Sequence, residues 1–209
     1  FSPLFATDAT LFAAGNDGVR ISTDGGTTWI SRTVATDTTW VRALAISPAF
    51  ASDATVFAGT QRGLYRSTDR GMQWATVAEY PGPDVYAIAL APTWVTTPTL
   101  LVGSTAGVYR SDDDGHTWYQ GEGVAPLRVP RLVQGPDDLR RLTAVTAFHG
   151  VYQSDNGGAT WRHAGLRRPT GIANIALSPD YVRDQMMLAA VPAGGGMNFY
   201  RTLNGGEAW

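Results

Sequence analysis

The sequence predicts an all-β chain built from repeated four-stranded antiparallel sheets. Three observations carry the prediction. A unit of about 43 to 48 residues recurs along the whole 209-residue chain. Each copy closes on the same short pattern, S/T-x-D/N-x-G-x-x-W. The composition, with 24 Gly, 12 Pro and 11% aromatic residues, suits short strands joined by tight turns. The repeats fall at approximately 1–37, 38–82, 83–126, 127–169 and 170–209, within a single predicted domain.

The innermost strand of each unit is read from apolar alternation closed by proline. Val41-Arg42-Ala43-Leu44-Ala45-Ile46-Ser47-Pro48 is matched by Val85 to Pro92 and by Ile172 to Pro179. Small side chains suit strands that converge on a common axis, and proline suits a strand end rather than a central ladder position. A second strand follows in Leu11-Phe12-Ala13-Ala14, Ala54 to Gly59, Leu100 to Gly103 and Met187 to Ala190. After a short glycine turn comes a third strand, typified by Gly63-Leu64-Tyr65-Arg66-Ser67. The loop between first and second strands also repeats, as Ser2-Pro3-Leu4-Phe5-Ala6-Thr7-Asp8, Ser47 to Asp53 and Ser178 to Asp184.

The closing pattern is the clearest element. It reads Ser22-Thr23-Asp24-Gly25-Gly26-Thr27-Thr28-Trp29 in the first copy. The later copies run from Ser67 to Trp74, Ser111 to Trp118, Ser154 to Trp161 and Thr202 to Trp209. The carboxylate or amide of Asp24, Asp69, Asp113, Asn156 and Asn204 can accept backbone N–H bonds within a turn. Glycine supplies positive φ, and Trp29, Trp74, Trp118, Trp161 and Trp209 cover the neighbouring core. These ten residues are expected to be framework.

The pattern resembles the Asp box, or BNR-like repeat, of β-propeller proteins. Sialidases, sortilin-type receptors, xyloglucanase-type glycosidases and photosystem II assembly factors carry it. The resemblance implies a β-propeller of four-stranded antiparallel blades, five of them here. Either the ends complete a five-bladed ring, or these are consecutive blades of a larger one.

Composition narrows the function. A net charge of -2 gives no long-range field for nucleic acid. No stretch is long and apolar enough for direct membrane insertion, and Phe1 to Phe5 has neither a basic region nor a hydrophobic core of a leader. All 16 basic residues are Arg, which excludes lysine chemistry, and the absence of Cys excludes thiolate catalysis and cysteine metal sites. His116, His149 and His163 are isolated, and Asp112-Asp113-Asp114-Gly115 lacks the alternation of a calcium loop. No metal and no cofactor are expected.

If the box and the first loop share one face, the opposite face carries the variable segments. There Trp40, Arg42, Tyr86, Arg131 and Asn174 sit at or beside inner-strand starts, with Arg62 and His149 on the turns between second and third strands. Aromatic, guanidinium and amide groups around a concavity suit a peptide segment or a sugar. The weaker catalytic candidates are Asp37, Asp84, Glu79 and Arg128. Sialidase-like enzymes announce their first arginine with an R-I-P motif, whose nearest match is Leu127-Arg128-Val129-Pro130, after the third box.

The leading expectation is a non-catalytic binding or assembly module presenting its variable face to a protein partner or glycan, in a bacterial extracytoplasmic or secreted setting. The alternatives are blades of an Asp-box glycoside hydrolase of sialidase or xyloglucanase type, and a structural subunit of a larger complex.

Overall fold

A computed structural model of the chain describes residues 1–35, 40–135, 140–167 and 171–209. The first repeat supplies a helical turn α1 (Phe5–Asp8) and strands β1 (Leu11–Gly15), β2 (Gly18–Ser22) and β3 (Ile30–Arg32). The second supplies β4 (Val41–Ile46), α2 (Phe50–Asp53), β5 (Val56–Thr60), β6 (Gly63–Ser67) and β7 (Ala75–Thr76). The third holds β8 (Val85–Leu90), β9 (Leu100–Ser104), β10 (Gly107–Ser111) and β11 (Tyr119–Gln120). The fourth holds β12 (Arg131–Gln134), β13 (Leu142–Val145), β14 (Val151–Ser154) and β15 (Arg162–His163). The last contains β16 (Asn174–Leu177), α3 (Tyr181–Asp184), β17 (Met187–Ala193) and β18 (Gly196–Thr202).

Among the described residues these strands form five sheets, each in simple sequence order. The expected four strands are present in the three middle sheets. The first, β1-β2-β3, and the last, β16-β17-β18, have three. In the first sheet the inner position is unfilled, and in the last the outer one.

Packing divides the chain into two compact units, residues 1–102 with 111–118, and residues 103–110 with 119–209. In the first unit β4 packs beside β1 and β8 beside β4. Val19, Ile21, Val34, Val41, Ala58 and Tyr65 form an apolar core there. Its tightest approach explains one glycine: a Cβ placed on Gly59 of β5 would lie 2.3 Å from Cγ1 of Val85 on β8. In the second unit β12 lies beside β16, and Val145, Val151, Leu166, Ile172, Ile175 and Met187 share a core.

Strand register fixes what lies at each end of a sheet. In the second sheet Ile46 pairs with Val56 and Val56 with Ser67, so the loop after β4 and the turn after β6 share one end. Direct hydrogen bonds join them. Arg70 N–H donates to the Ala54 carbonyl at 3.0 Å, and the same link recurs from Gly25 to Ala9, Asp114 to Pro98, Gly157 to Arg140 and Gly205 to Gln185. The starts of the inner strands lie at the other end, beside the glycine turns, because Val41 pairs with Thr60 and Thr60 with Gly63.

Candidate functional site

The five closing turns are built alike. Ser22 Oγ donates to Asp24 Oδ1 at 2.7 Å and accepts the Gly26 N–H at 2.8 Å, while Asp24 accepts the Thr28 N–H at 2.9 Å. Asp69 receives Gln73, Asp113 receives Thr117, Asn156 receives Thr160 and Asn204 receives Ala208 in the same way. Two consecutive residues take positive φ in every turn, Gly25 and Gly26 in the first, Arg70 and Gly71 in the second. Hydrogen bonds from Thr28 hold the Asp24 carboxyl down at about 2, and those from Thr117 do the same for Asp113.

Three of the five turn tryptophans share an anchor but not an environment. Trp29, Trp118 and Trp161 donate their indole N–H to the carbonyl of their own turn glycine, Gly26, Gly115 and Gly158, and Trp209 donates to Ala164. Trp161 is 6% exposed whereas Trp29 is 42% exposed.

At the opposite end of the sheets, within the first unit, four sequence candidates converge. Arg42 is the second residue of β4, and Asp84 immediately precedes β8, so the packing of these two strands brings the side chains together. Arg42 Nη1 donates to Asp84 Oδ2 at 2.9 Å, and the Tyr86 hydroxyl donates to the same oxygen at 3.3 Å. The guanidinium carbon stands 4.4 Å from the centre of the Tyr86 ring and 5.7 Å from that of Trp40. Partial burial pushes the Asp84 pKa upward, but the hydrogen bond and charge of Arg42 outweigh it and hold the carboxyl below its ordinary range. Trp40 is 53% exposed and offers an apolar surface beside this charged pair.

This geometry separates roles that the residue types alone leave open. A carboxylate held ionised by an arginine is a poor proton donor, so Asp84 is suited to positioning Arg42 rather than to acid catalysis. Arg42 in turn is held by Asp84 and the Tyr86 ring, which limits the entropy lost when a ligand meets it.

The remaining candidates are placed as follows. Arg62 stands exposed on the turn between β5 and β6, and His149 on the turn before β14. Arg131 Nε donates to the Ala173 carbonyl at 2.7 Å, tying the start of β12 to the approach to β16. Asn174 turns its carbonyl oxygen back to the Ile175 N–H at 3.0 Å. Arg128 and Glu79 are exposed loop residues, and the Arg128 carbonyl accepts the Ala147 N–H. Asp37 lies outside the described residues. The sequence reading passed over a cavity at the box end of the second unit, lined by Thr143, Gln153 and Tyr181 among others.

No family model and no curated protein matches the chain. Solved structures do. An ancestral GH74 enzyme superposes with a TM-score of 0.73 at 24% identity, over 92% of this chain and 28% of that one. The GH74 xyloglucanase from Xanthomonas campestris gives 0.71 at 21%, over 96% of this chain and 36% of its own. YCF48 bound to D1 peptide gives 0.52 at 16%, over 96% of this chain and 77% of its own. The chain therefore spans about a third of the length of these GH74 enzymes. The likeness establishes the fold: these sheets are blades of a β-propeller.

Proposed function

We propose that the chain is a non-catalytic binding module of the Asp-box class that receives a segment of a protein partner on the face carrying Trp40, Arg42 and Tyr86. The observation that carries this reading is the Arg42 cluster itself. An exposed indole stands beside a guanidinium already oriented by Asp84 and Tyr86. Such a pre-arranged pair of aromatic and arginine side chains is the composition of binding hot spots. A structural neighbour has been solved with a peptide bound, which supports a protein partner over a glycan. An extracytoplasmic setting is part of the same proposal.

The competing reading, a glycoside hydrolase, draws on the GH74 neighbours. It needs a carboxyl group able to give up a proton near neutral pH. Asp84, held ionised by Arg42, is unsuited to that role.

The experiment has two arms. In the first, a displayed library of unbiased peptides is selected on the purified chain and the winners are measured against Trp40→Ala. A loss of about tenfold or more, corresponding to at least ~1.4 kcal/mol, is expected for a hot-spot residue. In the second, sialosides, β-glucans and xyloglucan are incubated with the protein. Turnover that disappears in Asp84→Asn would overturn the binding-module reading.

A further inference from the structure

The second site lies at the other end of the blades, where the fourth and fifth repeats meet inside the second unit. At two other junctions an aromatic contact fills part of this position. The second residue of the second strand reaches the aromatic residue of the next repeat's loop. Phe12 meets Phe50 edge-on at 5.8 Å, and Phe57 meets Trp94 at 5.7 Å. The residue opposite it on the third strand reaches the next repeat's turn. Arg66 pairs with Asp114 at 2.7 Å, and Arg110 donates to the Gly157 carbonyl.

At the fourth repeat the position on the second strand changes from aromatic to polar, and the one opposite it carries an amide in place of a guanidinium. Strand pairing places Thr143 where Phe12 and Phe57 stand, opposite Gln153 where Ile21 and Arg66 stand. The loop aromatic of the fifth repeat is Tyr181, which brings a hydroxyl. The space lost is substantial, and a cavity of about 300 Å³ opens there.

Its walls are polar and ordered. Thr143 and Gln153 are 2% and 4% exposed. Gln153 is fixed at both ends of its amide: Nε2 donates to the Tyr181 hydroxyl, and Oε1 accepts from Arg162 at 2.8 Å. Burying a hydroxyl where two other junctions place a phenylalanine against an aromatic ring costs stability unless something exploits it. At the rim Arg141 and Arg162 are balanced by Asp155 and Glu207, so the charges cancel and select neither an anion nor a cation.

We infer that this cavity is a binding site for a neutral polyhydroxylated ligand of the size of one saccharide unit. Hydroxyl, amide and guanidinium groups of Thr143, Gln153, Tyr181 and Arg141 line it, a mixture of donors and acceptors suited to hydroxyl groups. Its volume is at the lower end of small-ligand sites, about 300 Å³ and upward. It lies at the box end of the sheets of the second unit, shares no residue with the Arg42 cluster of the first, and is independent of the partner-binding proposal.

Ligand-observed saturation-transfer NMR on the purified chain provides the test, with neutral hexoses, their methyl glycosides and, as charged controls, acetate, phosphate and ethylammonium. At least one hexose is expected to bind at or below about 10 mM. Retained binding of its methyl glycoside would identify the end of a glycan as the source, and its loss the free sugar. Thr143→Leu restores the side chain that Leu101 provides in the third repeat. It should weaken hexose binding at least tenfold while the melting temperature holds or rises. Trp40→Ala should leave hexose binding untouched. The assignment is overturned if no hexose binds at about 10 mM, if a charged control binds in preference, or if Thr143→Leu binds as well as the parent.

Discussion

Ser111 shows how much of each turn rests on one atom. Its buried hydroxyl donates to Asp113 at 2.8 Å and accepts the Gly115 N–H at 2.9 Å. Ser111→Ala removes the side-chain acceptor of that N–H, so a loss of about 1–3 kcal/mol is expected in urea denaturation. The neighbouring carboxylate sets an acid limit. Because the Asp113 pKa is lowered by folding to about 2, its stabilisation is fully present above the unfolded carboxylate range. It is lost as pH falls through about 2. Asp24 behaves alike, while the fourth and fifth turns use Asn156 and Asn204, which carry no such dependence. The double replacement Asp24→Asn with Asp113→Asn should make the stability profile between about pH 4 and pH 2 shallower, with loss of the stabilisation the two carboxylates supply at neutral pH. Circular dichroism melts across that window would show it. These turn residues were legible in the sequence because their geometry is local. The ion pair of Arg42 and Asp84, 42 positions apart, was not, since residue types at strand starts do not reveal which strands pack together.

At the scale of the elements, period-two alternation and the closing prolines located the inner strands β4, β8 and β16. What alternation could not convey is how closely one sheet approaches the next. Gly59 reads as an ordinary small residue in a strand, yet it is the point where β5 lets Val85 of β8 in. Gly59→Ala should therefore destabilise the first unit by about 1–3 kcal/mol through overpacking, measured by thermal or chemical denaturation. Val85→Ala in the same background should recover part of the loss, because it removes the Cγ methyl that the new Cβ meets. The cavity beside Thr143 escaped the sequence reading for the opposite reason. The box end was taken as uniform framework, although aligning the repeats places Phe12, Phe57 and Leu101 against Thr143. The signal was a departure from the repeat, on the face that seemed most regular.

At the scale of the molecule, the last sheet leaves several large apolar side chains exposed. Leu188, Met197 and Phe199 sit on β17 and β18, and Phe199 is 77% exposed. The strand pairing of Ala190 with Phe199 and Pro192 with Met197 puts both large side chains on one face. Contiguous exposed hydrocarbon of this kind promotes self-association. Phe199→Glu should reduce the weight-average mass at high concentration in sedimentation analysis, and an unchanged mass would show that this face is not a contact surface. Composition had already excluded lysine and cysteine chemistry, which depends on counting alone. Whether a face is covered depends on packing, which counting does not reach.

The graded burial of the turn tryptophans makes the protein its own spectroscopic ladder. The indoles of Trp29, Trp118 and Trp161 hold the same anchor to a glycine carbonyl, so differences in their emission report solvent contact rather than hydrogen bonding. Variants that keep one of these fluorophores at a time should range from red-shifted emission at Trp29 to blue-shifted emission at Trp161. Each would follow the loosening of its own repeat, so that the order in which the blades come apart could be read as a sequence of colours.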